Sequence, residues 1–159
     1  MIAPTVAGVV RYTGGWLFDR VMAGWDVTVH VADHTDPQPL RILGARVLDL
    51  EGTLARRLNA PFPHALAVDV QLCRADPRAR TMVLAALGRC DTEVRLWSDG
   101  WPSDVDDDAS TTCHRLSVAA RAFKAQALAA AADRVEPVGP VESFRRTYED
   151  EPALARLPG

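Results

Sequence analysis

Hydrophobic and polar positions change period several times along this 159-residue chain. Residues 5–12, TVAGVVRY, are almost continuously apolar, the pattern of a strand buried on both faces, and predict a central first strand. After Gly14 and Gly15, Leu17, Phe18, Val21, Met22 and Trp25 recur at helical spacing, and Gly24 falls where a helix would stop. Residues 26–33, DVTVHVAD, alternate Val27, Val29 and Val31 with Thr28, His30 and Ala32, which predicts a half-exposed edge strand.

Further along, a short helix over 39–43 leads through Gly44 to a third strand over 45–52, and a weaker helical pattern over 53–59 stops at the PFP of 61–63. HALAVDVQL, 64–72, predicts a fourth strand. Asp76 and Pro77 make a good helix start, cap followed by first turn, and Gly88 ends that helix. TEVRLWSD, 92–99, alternates and predicts a fifth strand at the other edge. After an acidic loop over 100–112, Leu116, Ala120, Phe123, Ala127 and Ala131 stripe a long Ala-rich helix.

Strands alternating with helices imply parallel strands joined by right-handed crossovers, with helices on both faces. The predicted architecture is a three-layer, doubly wound α/β domain over 1–135, with a mostly parallel five-stranded sheet and the Ala-rich helix at its C-terminal end. Edge placement of strands two and five gives the flavodoxin-like order 2-1-3-4-5; a truncated Rossmann-like order is the alternative. Residues 136–159 are charged and carry Pro152 and Pro158, which predicts a tail or docking segment with at most one short helix.

Composition narrows the classes. Net charge is −3, and the 18 basic residues, of which Lys124 is the single lysine, are scattered among 21 acids. Nucleic-acid binding is therefore disfavoured. No run approaches the roughly 20 apolar residues of a membrane span, and no basic region precedes a signal-like apolar stretch. Cys73, Cys90 and Cys113 match neither a disulfide framework nor a paired metal motif, which fits a reducing cytoplasm.

The strongest candidate for chemistry is the Thr13-Gly14-Gly15 stretch. A turn there, between first strand and first helix, would stand at the mouth of a doubly wound sheet, with the amides of Trp16 and Leu17 directed at a phosphate. Asp33, some 20 residues on, stands where a ribose-binding acid is expected. In these features the chain resembles the nicotinamide-dependent and flavin-binding doubly wound folds, although GGWLFD lacks the third glycine of GxGxxG. His34, flanked by Asp33, Thr35 and Asp36, is a candidate acid or base.

Other constellations are weaker. No P-loop and no GxSxG elbow occurs. Asp49 near the end of the third strand has no acidic pair or lysine of the kind a receiver domain needs, and Asp104, Asp106, Asp107 and Asp108 fail the EF-hand spacing and read as acids ahead of a helix. No metal is expected. His30, His64 and His114 are dispersed, Cys113 reads as structural, and Trp97 with Trp101 reads as a core lid or a partner anchor. Two function classes remain. The preferred one is a non-catalytic binding or regulatory protein acting through contacts with another protein or a second copy. The alternative is a small nucleotide- or dinucleotide-binding enzyme with phosphate at Thr13, Gly14 and Gly15, ribose at Asp33 and His34 in catalysis.

Overall fold

Thr5 is both the last residue of the first strand and the cap of the first helix: its extended backbone turns the chain, and its hydroxyl accepts the amide of Gly8 at 3.1 Å. The computed structural model describes residues 1–55, 63–99, 111–131 and 137–145. Among these residues the elements run β1 (Ile2–Thr5), α1 (Val6–Met22), β2 (Thr28–Asp33), α2 (Gln38–Ile42), β3 (Arg46–Asp49), α3 (Leu50–Ala55), β4 (Ala65–Asp69), α4 (Val70–Ala75), α5 (Pro77–Leu87), β5 (Glu93–Trp97), β6 (Thr111–Arg115), α6 (Val118–Ala130) and β7 (Val141–Arg145).

One seven-stranded sheet holds them together, in the order β3-β2-β1-β4-β5-β7-β6. The first five strands are parallel, and β7 enters antiparallel between β5 and β6. Helices cover both faces. Ala3, Val29, Val31, Ala67 and Trp97 pack beneath residues of α1, α2 and α6, while Ile2, Leu66, Val68, Val94 and Leu96 pack against residues of α3, α4 and α5. Alternation along each strand divides these two cores, as the period of two requires.

Several expectations are corrected. From Val6 onward the apolar run 5–12 is helix: Val6, Val9, Val10, Thr13 and Leu17 are buried at the spacing of one helical face. A continuous apolar run satisfies both periods, and the cap at Thr5 decides in favour of the helix. The sheet has seven strands instead of five, and β3 pairs with β2 and not with β1, so the first five strands stand in the order 3-2-1-4-5. Of the two expected arrangements this is the truncated Rossmann order. The Ala-rich stretch forms α6, 13 residues long, yet β7 follows it, so the fold does not close on a long C-terminal helix. Val141–Arg145, part of the stretch 136–159 read as a charged tail, forms a strand of the sheet. No helix among the described residues is long and apolar enough to cross a membrane.

Candidate functional site at the carboxyl ends of the strands

The helices after β1 and β2 pack on one face of the sheet, and those after β3 and β4 on the other. The chain therefore changes direction between β1 and β4, and a crevice is expected outside their carboxyl ends. The residues that end these strands share one device. Thr5 ends β1, Asp33 ends β2, Asp49 ends β3 and Asp69 ends β4. Each accepts a backbone amide two or three residues on: Gly8 on Thr5, Thr35 on Asp33 at 3.1 Å, Gly52 on Asp49 at 2.7 Å and Gln71 on Asp69 at 2.8 Å. Short polar side chains make this local bond readily, and it lets a strand pass into a turn or helix with no intervening loop.

Capping leaves the second carboxylate oxygen of each Asp for other partners. The Thr35 hydroxyl also donates to Asp33 Oδ1 at 2.7 Å, and the Thr35 hydroxyl and amide together hold the Asp33 carboxyl below its ordinary range. Asp69 is different: burial pushes its carboxyl up, the charge of Asp99 adds to that, and the Gln71 amide opposes. Asp99 follows β5 and accepts the Tyr12 hydroxyl of α1 at 2.5 Å, a bond that ties the helix to the rim. Burial and this bond raise the Tyr12 pKa. Around the same rim Arg78 bridges Glu51 and Asp76, with Nη1 2.6 Å from Glu51 and Nη2 2.8 Å from Asp76, and its donated bonds lower both carboxyls.

No family model, curated protein or solved structure matches this chain. Four aspartates at neighbouring strand ends make a surface that attracts cations and hydroxyl donors and repels phosphate. Among the described residues no three His, Cys, Asp or Glu side chains come together in a way that could hold a metal ion.

The residues singled out in the sequence fall in different places. Thr13, Gly14 and Gly15 form no turn; they lie inside α1, all buried. Thr13 donates its hydroxyl back to Val9 O at 2.8 Å. The glycines serve packing, since a Cβ on Gly15 would overlap Leu116, and one on Gly14 would stand 3.3 Å from Leu43 Cδ1. The amides of Gly15 and Trp16 do meet an anion, but it belongs to the chain: they donate to Glu142 Oε1 and Oε2, each at 2.8 Å. Lys124 Nζ stands 2.6 Å from Glu142 Oε1, so the carboxylate is enclosed. Opposite Glu142 across the β6–β7 ladder, His114 reaches the same helix one turn further on, with Nε2 2.8 Å from Asp19 Oδ2.

Asp33 stands at the rim, beside Thr5 in the β1–β2 register, and His34 follows it. The His34 side chain is 54% exposed and 3.9 Å from Asp49 Oδ1, a loose approach. His30 and Thr53 bond side chain to side chain at 2.5 Å beneath α3. Cys73 is buried and its thiol is pushed up to about 12, which makes it unreactive, whereas Cys90 and Cys113 are exposed. Trp97 is buried, in keeping with the core reading of that residue. Trp101, Asp104, Asp106, Asp107, Asp108 and residues 146–159 lie outside the described residues. Sequence reasoning missed Asp69 and Asp99, polar residues at or just past the ends of β4 and β5, which are visible as such only once the strands are placed, and Tyr12, whose helix reaches Asp99 only in three dimensions.

Proposed function

We propose that this chain is a non-catalytic binding or regulatory protein whose carboxyl-end rim receives a basic segment of another protein. The observation that carries this reading is the row of strand-end aspartates, Asp33, Asp49 and Asp69, with Asp99 beside them. Three of the four cap the backbone that follows, so the protein's own framework fixes their positions. Carboxylates fixed in position suit recognition of guanidinium and ammonium groups, which needs placement and charge complementarity and no proton transfer. A cytoplasmic setting fits the exposed Cys90 and Cys113.

The test is fluorescence anisotropy of a labelled Arg- and Lys-rich peptide, with an acidic peptide of equal length as control. Binding of the basic peptide alone, weakening with salt and lost in the D33N/D49N/D99N variant, supports the proposal; equal binding by that variant overturns it.

A second reading keeps a nucleoside-bearing small molecule, and one observation favours it: Asp33 ends β2 next to Thr5 in a truncated Rossmann order, where a ribose-binding acid belongs. Its anchor would be the carboxylate and the ribose hydroxyls, since the Gly15 and Trp16 amides already hold Glu142. Thermal stabilisation by adenosine or NAD that disappears in Asp33→Ala supports this reading over the first.

A further inference from the structure

Away from the rim, on the α1 face of β5, an arginine occupies a core position. Arg95 is 7% exposed, its guanidinium carbon 4.9 Å from the Trp16 ring centroid and 5.0 Å from that of Phe144. Glu93 takes two of its nitrogens, with Nε and Nη2 each 2.7 Å from Oε1. The third, Nη1, is buried without a hydrogen-bond partner among the described residues, and so is the indole Nε1 of Trp16. Arg20 lies against the same indole, 5.4 Å from its centroid, and stands only 3.6 Å from Glu93 Oε2. Within this group two guanidinium charges face a single carboxylate.

Buried donors are almost always bonded, and charged ones most of all. Arg95 and Trp16 present two such donors within one cluster, where the guanidinium lies over the indole face and Phe144 adds a second aromatic wall, with an excess positive charge. That combination fits an acceptor that is anionic and has a flat or apolar body. The long Arg20–Glu93 contact offers a way in, because both side chains are about a quarter to a third exposed, at 27% and 31%. We propose that this cluster is a binding site for the carboxylate group of a small organic acid, received by Arg95 Nη1 and Trp16 Nε1 and approached past Arg20 and Glu93.

The whole chain is titrated with benzoate, acetate and phosphate at constant ionic strength, reading tryptophan fluorescence and melting temperature. Expected is a saturable change with benzoate, weaker with acetate, and roughly tenfold weaker benzoate affinity in Trp16→Phe, which keeps the ring and removes one donor to a charged group. Arg95→Lys, which keeps the charge and removes Nη1, should weaken it at least as much; if that variant fails to fold, Trp16→Phe decides. No saturable change with either carboxylate, a response to phosphate alone, or unaltered benzoate binding in Trp16→Phe overturns the proposal.

Discussion

Glu142→Gln tests the buried network that joins β7, α6 and α1. Glu142 is 3% exposed at its side chain and Lys124 9%, and the carboxylate accepts two α1 amides as well as the ammonium. Glutamine keeps the shape but offers one acceptor oxygen, so one of the two amides would face an NH2 group and Lys124 would stand charged and unpaired. Leaving a buried charge without its partner costs about 3–5 kcal/mol. At about 2–4 °C per kcal/mol for a chain of this size, the melting temperature should fall by about 6–20 °C. Urea unfolding with linear extrapolation measures the loss. Adding Lys124→Met to the same chain removes the stranded charge, so the double variant should recover more than about 1 kcal/mol relative to Glu142→Gln. A Glu142→Gln loss within about 0.5 kcal/mol, the range of an ordinary surface change, would refute the reasoning, as would no recovery in the double variant.

Three other outcomes are expected. A chain ended after residue 135 lacks β7 and should lose its cooperative melting transition by calorimetry; wild-type melting would show that β7 is dispensable. Gly15→Ala gains about 1 kcal/mol of helix propensity but overlaps Leu116, and should destabilise by about 1–2 kcal/mol net, whereas Gly14→Ala, with its nearest atom at 3.3 Å, should cost less; equal effects in urea unfolding would contradict the packing role of Gly15. For Asp19, burial pushes the carboxyl up, and bonds from Ser117 and His114 outweigh it and leave it below its ordinary value. Such a group adds stability above its unfolded pKa near about 3.9, lost as pH falls through the lower folded value, so Asp19→Asn should flatten the acid limb of stability against pH, and an unchanged limb would exclude the contribution.

The middle of the fold was legible in the sequence because there the two periods do not compete. β2, α2, α5 and β5 fall close to where alternation, caps and glycine stops put them, with Asp76 capping α5 through the Arg78 amide at 2.8 Å, although β3 ends at Asp49 instead of running to 52, and β2 and β5, expected at the edges, are interior strands. The first element is ambiguous in the sequence because an almost continuous apolar run suits a buried strand and a buried helix equally. Reading it as a strand moves the glycines from a helix interior to a supposed mouth. β7 was missed for the opposite reason. Its inward positions are Glu142 and Phe144, and a buried glutamate disguises a five-residue alternation as a charged tail. Only the three-dimensional arrangement brings Lys124 and the α1 amides to that carboxylate. At the rim, Asp33 was found because it ends a clear strand, whereas Asp69 lay hidden inside a strand expected to run to 72.

The proposed recognition surface of strand-end aspartates can be mapped residue by residue by following backbone amide resonances during titration with an Arg- and Lys-rich peptide. Saturable shifts are expected at Asp33, Asp49, Asp69 and Asp99 and at the amides of Thr35, Gly52 and Gln71 that three of them accept, with β6 and the exposed end of α1 unmoved. Shifts confined to those remote elements, or no saturation at the rim, would contradict it.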